Sequence, residues 1–168
     1  MATDVKQLKT ELALAGIEVY RSRKTEIHIA ERVRLHIMDS GVRLEIIEGA
    51  GEDSPQTSPS GERSPTGERA PTGERLRVSF TARSQRSDFP NEQAETLLER
   101  VRALVGAEAA LRGFVEVNAG SLEVKDPMDD ARVLDVWHEV TYQKPADDTQ
   151  SALDEIRWAL ALERCIQR

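Results

Sequence analysis

Three histidines are the side chains of this sequence best suited to hold a metal ion or to transfer a proton. His28, His36 and His138 each fall in a strand-like pattern and are separated from one another. His28 and His36 could share one face of a sheet, but no spacing places a third ligand beside them. A zinc site needs three or four ligands that converge. We therefore expect surface or edge-of-sheet histidines and no metal site.

The acidic turn from Asp126 to Asp130 is the other group of potential ligands. It lacks the alternating aspartates, central glycine and closing glutamate of a calcium loop. The sequence also contains no dinucleotide-binding fingerprint, no phosphate-binding Gly-Lys-Ser/Thr loop and no Gly-x-Ser-x-Gly elbow. These absences favour a protein that is not an enzyme, with no catalytic residues and no cofactor.

Charge and composition restrict the possible partners. The chain has 168 residues and a formal net charge of −7. Nucleic acids and anionic membranes attract positive fields, so this balance argues against both as general partners. The single cysteine, Cys165, excludes an intrachain disulfide. We see no apolar leader and no run of about 18 apolar residues, and we expect a cytoplasmic protein without membrane insertion.

Apolar periodicity divides the first half of the chain into one helix and several strands. A helical spacing from Val5 to Ala15 is followed by alternating runs, which are typical of strands. The turn residues Asp39, Ser40 and Gly41 predict a hairpin bend. The rows expected to face the helices are Val33, Leu35 and Ile37, then Val42, Leu44 and Ile46, then Leu76, Val78 and Phe80.

The second half predicts a helix from Asn91 to Val105, two strands between Phe114 and Tyr142, and a closing helix after Asp148. The order of elements is therefore α-β-β-β-α-β-β-α. Such an order predicts an α+β fold in one domain, with a single antiparallel sheet and helices on one face.

Residues 49–75 differ in kind from the rest of the chain. They contain three near-identical hexapeptides rich in Pro and Gly, each ending in Gly-Glu-Arg. A segment of this composition cannot bury enough apolar surface to fold. We interpret it as a long, disordered insertion in a hairpin loop.

One group of charged residues is a stronger candidate for a binding site than the others. If the aliphatic rows face the helices, their neighbours form a basic stripe on the open face of the sheet: Arg32, Arg34, His36, Arg43, Arg75 and Arg77. Such a stripe favours docking of an acidic protein segment or an extended peptide. A solvated face whose arginines cover apolar edges is the alternative. Nucleic acid is disfavoured because the pattern exposes no aromatic side chains for base stacking.

In element order, size and acidic charge, residues 3–48 and 76–166 resemble type III secretion chaperones and the YbjN-like proteins that share their fold. The resemblance implies a cytoplasmic homodimer that holds another polypeptide without covalent chemistry. It places the dimer contacts in Asn91–Val105 and Val133–Tyr142. The last helix is apolar on two sides, as interface helices often are. The expected interface residues are Leu97, Val101, Trp137, Trp158 and Leu162.

Three hypotheses of function follow. The first is a non-enzymatic protein-binding module, chaperone-like or regulatory, that holds a segment of a partner polypeptide. The second is an accessory subunit of a larger assembly, with the 49–75 segment as a tether. The third is an enzyme with a site assembled across a dimer, which would require a deep polar pocket at His36 or His138.

Overall fold

The secondary structure is that of a computed structural model, which describes residues 4–47 and 75–166. The predicted insertion at 49–75 lies outside these ranges except for Arg75. The helices are α1 (Val5–Leu14), α2 (Ala94–Val101), α3 (Ala107–Arg112) and α4 (Thr149–Ile166). The strands are β1 (Glu18–Ser22), β2 (Glu26–Val33), β3 (His36–Ile47), β4 (Arg75–Gln85), β5 (Val115–Asp126) and β6 (Asp129–Ala146). A π-helical turn, Arg102–Gly106, joins α2 to α3 without leaving helical backbone angles.

The six strands form one antiparallel sheet in the order β1-β2-β3-β4-β6-β5. The predicted α+β class with a single antiparallel sheet is therefore confirmed. The short run Ile17–Tyr20 contributes to β1, where Val19 pairs with Ile29. Four strands rather than three thus precede α2. The edges of the sheet are β1 and β5.

The helices pack on one face of this sheet, as predicted. Partners across an antiparallel ladder share a face, so Leu76 and Ala146, Phe80 and Tyr142, and Ala82 and Val140 point the same way. These side chains join one buried cluster with residues of the helices, among them Leu8, Leu12, Val105, Ile156 and Ala159. Full burial of such a side chain contributes roughly 1.5–3 kcal/mol. We call the opposite face of the sheet the outer face.

The β2–β3 hairpin bends at a different place from the one predicted. Val33 pairs with His36, so the turn consists of Arg34 and Leu35 rather than Asp39–Gly41. Arg34 has a φ of 59°, a left-handed conformation that is unusual for a residue with a side chain. The predicted inward row is consequently wrong at this end: Leu35 is 89% exposed and Ile37 is also exposed.

The turn-forming residues Asp39, Ser40 and Gly41 instead produce a bulge within β3. Between the pairs His28–Arg43 and Ala30–Asp39, β3 contains two more residues than β2. Gly41 has a φ of +76°, Asp39 accepts a hydrogen bond from the Gly41 amide at 3.0 Å, and the Ser40 hydroxyl donates to the Ile29 carbonyl at 3.0 Å. These local bonds are the same as those of a turn, which explains the misplaced bend.

Candidate functional site

The six residues of the predicted basic stripe are distributed over two parts of the sheet. Arg43 and Arg77 lie on neighbouring strands near its middle. Arg75 begins β4 and shares a face with Arg77, two positions further along the same strand. The other three lie at or beside the β2–β3 bend, at the end of the sheet opposite to Arg75: Arg32, Arg34 and His36. The structure therefore does not bring the six together as one docking surface.

Arginines on the outer face are also paired with carboxylates from neighbouring strands. The shortest nitrogen–oxygen distances are 2.9 Å for Arg32 and Glu18, 3.4 Å for Arg43 and Glu26, 2.7 Å for Arg77 and Glu45, and 2.5 Å for Arg83 and Glu139. Cross-strand pairs of this kind stabilise a sheet modestly, by about 0.2–1 kcal/mol each. Because every one of these cations faces an anion, this ladder has little net positive field with which to attract an acidic segment.

Two of the expected dimer contacts belong instead to the core of the chain. Leu97 and Val101 are fully buried within it and are not available to a second copy. Trp158 and Leu162 are partly buried against the same core, where the Trp158 ring stacks on Phe114 with ring centroids 5.1 Å apart. Trp137 lies on the outer face beneath the Arg83 guanidinium. The Cζ atom of Arg83 is 5.1 Å from the centroid of the Trp137 ring. The amphipathic spacing of α2 correctly indicated that Leu97 and Val101 are buried. It did not indicate whether the core of the same chain or a second copy covers them.

The histidines occupy three separate environments. His28 is buried, with its two ring nitrogens 3.3 Å from Glu26 and 3.4 Å from Asp39, and His36 is exposed beside the β2–β3 bend. His138 is buried, and its Nδ1 lies 2.7 Å from the Ser121 hydroxyl. No carboxylate in the described part of the chain forms a hydrogen bond with His138. Across residues 4–47 and 75–166, no three potential metal ligands converge.

The feature that sequence reasoning missed is the free edge of β5. This strand is 12 residues long and, among the described residues, pairs with β6 alone. Its apolar side chains Val115, Val117 and Leu122 are 65%, 49% and 49% exposed. Its pairing is regular from Asn118 to Val124, between two irregularities. Native proteins usually protect such edges with proline, lysine or short strands, because unpaired amide and carbonyl groups invite another strand.

β5 and β6 continue together beyond the rest of the sheet. The last β4 residue, Gln85, pairs with Trp137, so the part of β6 before Trp137 pairs with β5 alone. This projecting hairpin exposes further apolar side chains, namely Met128, Val133 and Leu134. Residues 115–136 also contain six carboxylates against two cations. The edge and the projecting hairpin therefore form one acidic, partly apolar surface, which we call the β5 edge surface (residues 115–136).

Signals for this surface were present in the sequence. Val115, Val117, Leu122 and Leu134 are apolar residues outside the predicted inward rows, and the acidic turn at Asp126–Asp130 was visible. The sequence did not show the order of the strands in the sheet. It therefore did not show which strands would lie at the edges.

Comparison with protein-family models, with curated proteins and with solved structures found no match to this chain. Within the described residues, no helix has the length and apolar character that would be needed to cross a bilayer.

Proposed function

We propose that this chain is a non-enzymatic, cytoplasmic protein-binding module that holds a segment of a partner polypeptide at the β5 edge surface. The observation that supports this proposal is the free edge of β5, where unpaired backbone groups lie beside exposed Val115, Val117 and Leu122. Strand addition at such an edge satisfies backbone hydrogen bonds and covers apolar side chains in one step.

The proposed site differs from the basic stripe expected from the sequence. Arg43, Arg77 and Arg83 of the outer face already have carboxylate partners, whereas the backbone edge of β5 has no strand partner among the described residues. A chaperone-like role requires reversible contact without covalent chemistry, and backbone pairing provides it.

Site-specific photo-cross-linking tests this function. A benzophenone amino acid replaces Leu122 in one variant and Leu14 in the control, since Leu14 is 84% exposed on α1, which packs against β1 at the opposite edge of the sheet. After irradiation in the native host, we expect a discrete heavier adduct from position 122 and none from position 14. Identical adduct patterns, or none at either position, would contradict the proposal.

We also propose that the module is a homodimer, in the manner of the chaperones that the sequence resembles. Trp137 and Leu162 keep part of their side chains accessible, whereas Leu97 and Val101 do not. Light scattering at micromolar concentration is expected to give twice the chain mass of 18.8 kDa. A monomer across that concentration range would exclude the dimer and leave the β5 edge proposal intact.

A further inference from the structure

We infer that the partner segment at the β5 edge is an extended strand in which apolar and basic side chains alternate. This inference rests on the proposed function and adds the chemistry of the partner. It follows from the two faces of β5 and from the charge of the β5 edge surface.

The outer side of β5 carries no charged side chain where its pairing is regular. Leu122 lies opposite Trp137, and Asn118 and Gly120 lie opposite Thr141 and Glu139, all on the outer face. No acidic side chain of β5 lies on this side between Asn118 and Val124. A strand added beside Leu122 would therefore place an apolar side chain in contact with it, as cross-strand neighbours on one face pack together.

The other side of β5 is acidic. Glu116 and Glu123 lie opposite Tyr142 and Val136, on the face that the helices occupy. Arg102 neutralises Glu116 at 2.8 Å, but Glu123 has no ion-pair partner among the described residues. Side chains of an added strand alternate between the two faces, so a basic residue beside Glu123 implies apolar residues on either side of it.

Carboxylates at the end of the β5–β6 hairpin strengthen the preference for a basic partner strand. Asp129 and Asp130 have no ion-pair partner within the described ranges, and Asp126 has only Arg132 at 3.6 Å. A second copy of this chain would bring like-charged edges together, which destabilises strand pairing. An acidic segment would be repelled in the same way. A basic, apolar strand is the occupant that both the charge and the exposed side chains favour.

The test uses a synthetic peptide of alternating lysine and valine, blocked at both ends and equal in length to the regular stretch Asn118–Val124. Two control peptides accompany it. One carries N-methyl groups on alternate amides, which removes backbone donors while keeping the charges. The other has glutamate in place of lysine. Binding to the full chain is measured by fluorescence anisotropy, and amide hydrogen exchange locates the contact.

We expect only the unmethylated lysine–valine peptide to bind, with slower hydrogen exchange along Asn118–Val124. Leu122→Lys and Glu123→Lys are each expected to raise its Kd at least about tenfold. The matched control Leu14→Lys is expected to change Kd less than about twofold, because it adds the same charge on α1, at the opposite edge of the sheet. Circular dichroism checks that each variant is folded, and Glu123→Gln replaces any variant that is not.

Absence of binding by the lysine–valine peptide at millimolar concentration would overturn the inference. Equal binding of the methylated peptide would also overturn it, since the side chains would then bind without backbone pairing. Equal binding of the glutamate peptide would exclude the charge preference. If the cross-linker at position 122 still captured a partner, the inferred chemistry would be wrong and the binding function would stand. If neither experiment gave a contact, both would fall.

Discussion

At the scale of single residues, Glu155 is the most consequential buried charge. It lies on α4, almost fully buried, and accepts hydrogen bonds from Lys144 of β6 at 2.6 Å and from Arg112 of α3 at 2.9 Å. Burial by itself would raise the pKa of Glu155, but the two cationic donors outweigh it, so the pKa is lowered. One carboxylate thus joins two helices to the sheet.

Glu155→Gln is expected to lower the free energy of unfolding by about 1–3 kcal/mol, because Lys144 and Arg112 lose a charged acceptor. Urea denaturation measures the change. Asp154→Asn is the control, since Asp154 is exposed and lies 3.5 Å from Arg157; it should change stability by less than about 0.5 kcal/mol. Equal effects of the two substitutions would contradict the role given to Glu155.

The pH dependence of stability follows from the same lowered pKa. A carboxylate with a pKa below its unfolded value, near 4.3 for glutamate, stabilises the fold fully above that pH. This contribution disappears as pH falls through the folded-state pKa. The stability difference between the wild type and Glu155→Gln should therefore be constant from neutral pH to about pH 5 and shrink below about pH 4. Unfolding titrations across this range measure it, and a difference that grew on acidification would contradict the sign.

At the scale of elements, the β3 bulge leaves the inward residues of β3 on one face. It adds two residues to β3, an even number, so the alternation continues across it: Val42 and Leu44 point inward, whereas Ile37 lies on the outer face. Gly41 permits the bulge because of its left-handed backbone, and a Cβ there would lie 3.2 Å from the Thr81 carbonyl oxygen.

Gly41→Ala should therefore destabilise the chain by about 1–2 kcal/mol, from backbone strain and the contact with Thr81. Thermal or urea unfolding measures this loss. Gly120→Ala is a matched control, because Gly120 also lies in a strand but has no atoms within 4 Å of a new Cβ and no positive φ. We expect the control to stay within about 0.5 kcal/mol of the wild type. A tolerated alanine at position 41 would mean that the bulge forms without glycine.

At the scale of the whole molecule, the two strands on either side of the repeat segment pair with each other. Ile47 at the end of β3 is the register partner of Arg75 at the start of β4, so the two ends of the segment meet across one ladder position. A short turn can connect such neighbours, and closing a shorter loop costs slightly less entropy than closing a long one.

Deletion of residues 52–74 is accordingly expected to leave the fold intact and to change the free energy of unfolding by less than about 1 kcal/mol. Circular dichroism and urea denaturation test this. Unfolding of the shortened chain would show that the segment contributes to the core. A folded chain whose photo-cross-links at position 122 were lost would instead favour the tether hypothesis.

The sequence by itself determined the elements and their inward faces where periodicity was strong. Rows such as Val42 and Leu44, or Val78 and Phe80, alternate with polar residues, and only one face of such a strand can be buried. Tertiary structure alone decided the strand order, the β2–β3 bend and the burial of Leu97 by the chain's own core. These depend on contacts between residues distant in sequence, which local periodicity does not encode. For the same reason the arginines were predicted without their glutamate partners, and the free edge of β5 emerged only from the assembled sheet.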